Sequence, residues 1–224
     1  MSRIRLDRSE TILVGLTLVL KAALLLGGTL VYVWFQTGAN NPLAVWNRWD
    51  APHYLDLVVF GYRAVDHGDL IGPNRYRSVY PGDLPLYIVF YPLFVWLSTA
   101  VNAALNSPLI SVFVVSSVAS LFVAPLLYRL VRLDEEPDVA FRAAVFALVF
   151  PAAFFLHIGY TESLFLALAL GAFLAARTDR WLLAGFLGGL SALTRVNGLV
   201  LILALGVEAV TQWFEQPPGL RRFR

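Results

Sequence analysis

The sequence predicts an all-α, polytopic membrane protein. Three observations predict it. Of its 224 residues 58% are apolar and only 14% charged, whereas a soluble domain carries about a quarter charged residues. Several apolar runs approach the length needed to cross a hydrocarbon core of about 30 Å. One long polar segment, residues 36–85, interrupts them.

Composition also removes function classes. The chain has no cysteine, which excludes disulfides, a thiolate zinc site and a cysteine nucleophile. His53, His67 and His157 are too scattered to predict a metal site by spacing. A formal charge of +2 without a long basic run gives no nucleic-acid surface. The first apolar run is about 25 residues, too long for a cleaved signal peptide.

Arg3, Arg5 and Arg8 outweigh Asp7 and Glu10, which places the N-terminus in the cytoplasm. Residues 11–35 form the first span. Lys21 lies near its middle, where an ammonium either meets a cavity or partner or snorkels along its own helix. Residues 36–85 are then an extracytoplasmic loop, and 53–62 form a short interfacial helix within it. Residues 84–105 are apolar but interrupted by Pro85 and Pro92. If they cross, Arg129, Arg132, Arg177 and Arg180 fall outside, so the positive-inside rule makes 84–105 a helix that dips in or lies along the interface. Residues 109–131 descend, and 133–137 turn in the cytoplasm. Residues 140–157 ascend, and 157–162 turn outside. Residues 163–176 descend, 181–193 ascend, 194–198 form a sharp outer turn, and 199–214 descend. The total is about five to seven membrane helices in one module, 1–224.

This topology brings four polar clusters to the outer face. They are Trp49-Asp50 with His53, Tyr91-Pro92, Tyr160 with Glu162, and Arg195 with Asn197. Each has a plain structural explanation: interfacial aromatics, a helix bend, a carboxylate at a helix N-terminus, a snorkelling cation. Together they supply a base, a cation and aromatic walls, the ingredients for breaking a sugar–phosphate bond.

The stretch Trp46-Asn47-Arg48-Trp49-Asp50-Ala51-Pro52-His53-Tyr54 resembles the first outer loop of the PIG-V mannosyltransferase family. Phe90-Tyr91-Pro92-Leu93, Tyr160-Thr161-Glu162-Ser163-Leu164-Phe165 and Arg195-Val196-Asn197-Gly198 follow in that family's order over about residues 10–205. The resemblance implies a GT-C-like membrane glycosyltransferase, acting at the extracytoplasmic or lumenal face with inversion. The donor is a polyprenyl (dolichyl) phosphate sugar, mannose by analogy, and the acceptor is an unidentified glycan or glycolipid. It implies Asp50 as base, Arg195 on the lipid phosphate, and Trp49 and Tyr54 against sugar or lipid. His53, Tyr91, Tyr160 and Asn197 are further substrate-binding candidates, and Glu162 and His157 are candidates for the acceptor side. No cofactor beyond the lipid-linked co-substrate is implied, and the need for a metal stays open. Relatives continue through more spans, so the C-terminal part of the family fold is expected to be missing: the chain is a fragment, or a protein partner supplies the rest, or it is not catalytically complete. The expected location is an integral multi-pass protein of the plasma membrane in a prokaryote or the endoplasmic reticulum in a eukaryote. The competing reading is a non-catalytic subunit or transporter for lipid-linked sugar. A transferase requires Asp50 to face a cavity that Arg195 also lines.

Overall fold

A computed structural model of the chain describes residues 6–35, 45–62 and 89–215. Among these residues there are eight α-helices and no strand. They are α1 (Arg8–Phe35), α2 (Ala51–Phe60), α3 (Pro92–Leu105), α4 (Pro108–Val131), α5 (Pro137–Val149), α6 (Glu162–Arg177), α7 (Trp181–Ala192) and α8 (Asn197–Glu215).

Local chemistry sets the boundaries. Before α1, the Asp7 N–H donates to Glu10 Oε2 at 2.8 Å and the Glu10 N–H to Asp7 Oδ1 at 2.7 Å, a reciprocal cap for two otherwise unpaired amides. Helices α2, α3, α4 and α5 each carry proline in the first turn, where its missing N–H costs nothing. Helices α1, α4 and α8 are long and apolar enough to cross a membrane. At 1.5 Å per residue, α3 and α7 reach only about 21 and 18 Å, short of a hydrocarbon core of about 30 Å.

Two expected helices take a different form. The helix within 84–105 begins only at Pro92, and residues 84–88 lie outside the described residues. The expected helix over 140–157 stops at Val149. Phe150 precedes Pro151 and is extended, with ψ 142°, because the proline ring disfavours the helical region for its predecessor. A short 3-10 segment, Pro151–Leu156, follows. The short helix expected over 53–62 is present as α2, two residues earlier than expected.

Helix α4 is the hub and packs against α1, α3, α5 and α6. Its buried face carries several small side chains, among them Ser116, Ala119, Ser120 and Ala124, where neighbours can approach closely. The buried hydroxyls are satisfied locally: Ser116 donates to the Phe113 carbonyl at 3.2 Å and Ser120 to that of Ser117 at 2.8 Å. Ser163 of α6 donates to the Ser116 carbonyl at 2.9 Å, which pins the start of α6 to α4.

Charge gathers where α4 and α6 end. Glu10 pairs with Arg129, and Arg177 pairs with Asp134 at 2.7 Å and with Glu208 at 3.3 Å. The opposite end of α6, at Glu162, meets the C-terminal end of α7. The candidate site forms there.

Candidate active site

The site begins with a strained turn. The Arg48 carbonyl accepts the Ala51 N–H at 3.0 Å, and Trp49 between them has φ +50°. That turn position normally takes glycine, because a side chain at positive φ crowds its own backbone. The turn is held from outside as well: the Tyr160 hydroxyl donates to the same Arg48 carbonyl. Asp50 follows at the N-cap of α2, where its backbone carbonyl accepts the N–H groups of His53 at 3.1 Å and Tyr54 at 3.3 Å. Its carboxylate makes no capping bond. The side chain instead lines a cavity of about 570 Å³.

Three other segments complete that cavity: Tyr54 from α2, Phe90 and Tyr91 ahead of α3, and Thr194 with Arg195 from the α7–α8 turn. Backbone chemistry joins the last two. Leu93, in the first turn of α3, has no partner inside its own helix and donates its N–H to the carbonyl of Leu193, just past α7, at 2.9 Å. The α7–α8 turn is too tight for a side chain at Gly198, where a Cβ would lie 2.4 Å from the Ala192 Cα.

Tyr54 is the buried wall. Its ring stands edge-on to Phe90 and Phe94, each at 5.1 Å. Burial pushes its hydroxyl up to about 12, opposed by a hydrogen bond with Thr161, so it stays protonated near neutrality. Burial likewise holds the Tyr160 hydroxyl in its protonated form. His53 lies beside Phe90 at 5.2 Å. Burial lowers its pKa, opposed by Asp56 and Asp50.

Arg195 donates from Nη1 to Glu162 Oε1 and to Thr161 Oγ1, the latter at 3.2 Å. The other Glu162 oxygen, Oε2, is buried and has no hydrogen-bond partner among the described residues. Asp50 and Glu162 both act on the Tyr54 and Tyr160 hydroxyls, so the two carboxylates share one neighbourhood with one guanidinium beside them.

The structure therefore brings Asp50, Tyr54, Tyr91 and Arg195 around one cavity, with Glu162 bonded to Arg195 and Tyr160 to the turn ahead of Asp50. Other expected site residues lie off it. Trp49 is 69% exposed, its ring 6.3 Å from that of Phe155. Asn197 is exposed at the start of α8. The His157 ring is buried behind the site, and neither ring nitrogen has a partner among the described residues. Its carbonyl accepts a hydrogen bond from Lys21 Nζ at 3.0 Å. Lys21 is buried, so it does not snorkel: it reaches the turn that carries Tyr160, Thr161 and Glu162. Thr161 and Thr194 were not singled out from sequence; each stands directly before a residue that was. Among the described residues no group of three His, Asp or Glu side chains could hold a metal ion.

Comparison with known proteins identifies the family of the chain. The family described as mannosyltransferase (PIG-V) matches residues 35–224. A GPI alpha-1,6-mannosyltransferase 2 of Rattus norvegicus is 32% identical over 155 residues, which cover 69% of this chain. The matched stretch covers 30% of that relative's length. No solved structure matches the chain. The chain belongs to the mannosyltransferase (PIG-V) family and is an integral membrane protein.

Proposed function

We propose, from that family membership, that this chain carries the catalytic base and the donor-phosphate site of a membrane mannosyltransferase. The donor is a polyprenyl-phosphate mannose, the acceptor a hydroxyl of a membrane glycan or glycolipid, and transfer inverts the anomeric centre at the extracytoplasmic face. The observation that carries this reading is the single cavity lined by both Asp50 and Arg195, residues far apart in sequence and of complementary chemistry.

The step has few parts. Asp50 accepts the proton of the acceptor hydroxyl as its oxygen attacks the anomeric carbon. The bond from that carbon to the phosphate oxygen breaks, and its electron pair leaves with the lipid phosphate. That leaving group already carries charge, so no strong general acid is required. Arg195 contacts Glu162 and Thr161 through Nη1 alone, and the rest of its fork meets the phosphate. Tyr54, Phe90 and Tyr91 form an aromatic surface for the sugar. Oε2 of Glu162, buried and without a partner among the described residues, suits an acceptor hydroxyl.

The test is transfer of radiolabelled mannose from polyprenyl-phosphate mannose by purified protein, followed by analysis of the product's anomeric configuration. The expected product has the configuration opposite to that of the donor. Retention, or saturable donor binding without transfer to any glycolipid supplied, contradicts the reading; the latter favours a lipid-sugar-binding subunit.

A further inference from the structure

The buried stripe of α1 runs through Glu10, Leu13, Thr17 and Lys21. Leu24 and Leu25 continue it, packed against the core that contains Tyr54 and Tyr160. Gly28 comes next, seven residues beyond Lys21 and therefore on the same helix face, about 10 Å further along. It is the second of two adjacent glycines inside a helix, where glycine is less favourable than alanine. Their surroundings differ. A Cβ at Gly27 would meet nothing within 4 Å. A Cβ at Gly28 would run into the Trp46 indole, lying against Cζ2 and 2.7 Å from Cη2. Carbon atoms normally stay about 3.5 Å apart or more, so the ring takes up space that only glycine leaves open.

Trp46 stands four residues before Asp50. Its ring packs against the same core, which includes Ala51 and Tyr54 at the start of α2. Because of that packing, the ring cannot swing aside without leaving the core. The turn that follows is closed by the hydrogen bond from the Ala51 N–H to the Arg48 carbonyl, so it shifts as a body. Two contacts limit how that body pivots. One is the Tyr160 hydroxyl on the Arg48 carbonyl; the other is the Trp46 indole on α1 at Gly28. A side chain at position 28 would push the ring, and the turn with it, by about 1 Å.

We propose that Gly28 is a positioning residue for the transfer reaction: by lacking a side chain it seats the Trp46 indole on α1 and so fixes the turn that presents Asp50. The inference rests on Asp50 as the base proposed above and adds what sets that base's position. Gly28 supplies no reacting group and acts through Trp46.

The test is a double-mutant cycle in mannose transfer by purified protein. Gly28→Ala should lower kcat about ten- to a hundredfold at nearly constant donor KM, since a misplacement of about 1 Å costs up to about a hundredfold. Trp46→Phe lacks Cζ2 and Cη2, and in that background the same substitution should cost less than about twofold. Gly27→Ala should keep wild-type kinetics. Trp46→Ala empties the seat without a clash and should also lower kcat at nearly constant KM. A second readout needs no turnover. In protein labelled with 5-fluorotryptophan, the fluorine resonance lost in Trp46→Phe belongs to Trp46, and it should shift far more in Gly28→Ala than in Gly27→Ala. Equal losses in the two backgrounds, or wild-type kcat in folded Gly28→Ala or Trp46→Ala, overturn the positioning role. A Trp46 resonance that moves no more in Gly28→Ala than in Gly27→Ala overturns the seat itself. Wild type that transfers no mannose, or Asp50→Asn that transfers it at the wild-type rate, overturns the base on which the inference rests, while the resonance still reports the seat.

Discussion

Arg195 and Glu162 are bonded to each other in the structure, and the bond uses a single guanidinium nitrogen, Nη1, which also donates to Thr161. On the proposed function, the other guanidinium donors meet the donor phosphate. Arg195→Lys retains the charge but loses the fork. It should weaken binding of polyprenyl-phosphate mannose about ten- to a hundredfold, the range of one hydrogen bond to a charged group. Arg195→Ala should weaken it further. Equal donor affinity in Arg195→Ala and wild type, read by titration in detergent, excludes the phosphate role.

Tyr160 holds the turn that presents Asp50, through its bond to the Arg48 carbonyl. Tyr160→Phe removes one hydroxyl and little else. The stability cost should be about 0.5–1.5 kcal/mol, the usual net value of one hydrogen bond. Turnover should fall about tenfold at nearly constant donor KM, because a loosened base costs orientation rather than binding. A variant with lower stability but unchanged kcat would make Tyr160 purely structural.

Lys21 is a buried ammonium bonded to the His157 carbonyl. Lys21→Met removes a costly buried charge but leaves a carbonyl without its donor, and these effects oppose each other. Thermal stability should therefore change by less than about 2 kcal/mol. Transfer should drop, because the 157–161 turn loses its anchor. Wild-type transfer by Lys21→Met shows that the anchor has no bearing on the site.

The orientation of the chain is the fourth prediction. Arg129, Arg132, Arg177 and Arg180 all lie where α4 and α6 end, away from the candidate site, and an excess of arginine marks the cytoplasmic side. Single cysteines replacing Asn74 and Asp138 can be probed with an impermeant thiol reagent, since the chain has no cysteine of its own. Asn74→Cys should label from outside intact cells and Asp138→Cys should not. The reverse pattern inverts the topology.

Much of this was legible in the sequence because polar residues stand out in an apolar chain. Asp50, Tyr91, Glu162 and Arg195 are visible as interruptions, and their order matches a family pattern. The helical class follows from composition alone. What the sequence concealed were partnerships: a guanidinium read as free for phosphate is already bonded to Glu162, and a lysine read as either snorkelling or paired holds a backbone carbonyl. Contacts between distant segments leave no local pattern. Thr161 and Thr194 were not assigned to the site because threonine is common in apolar helices and turns. The break after Val149 was signalled by Pro151, but the apolar run continues through it and masks the stop.

Asp50→Asn tests the central claim most directly. The substitution keeps the size of the side chain and much of its hydrogen bonding but cannot take a proton. The variant should insert, fold and bind donor lipid like wild type. Mannose transfer should fall by about two to four powers of ten, the usual contribution of a general base. Asp56→Asn is the control: six residues further along, it projects about 120° away around the helix and should lose far less. An Asp50→Asn protein that transfers mannose at the wild-type rate contradicts the account and leaves lipid-sugar binding without catalysis as the better description.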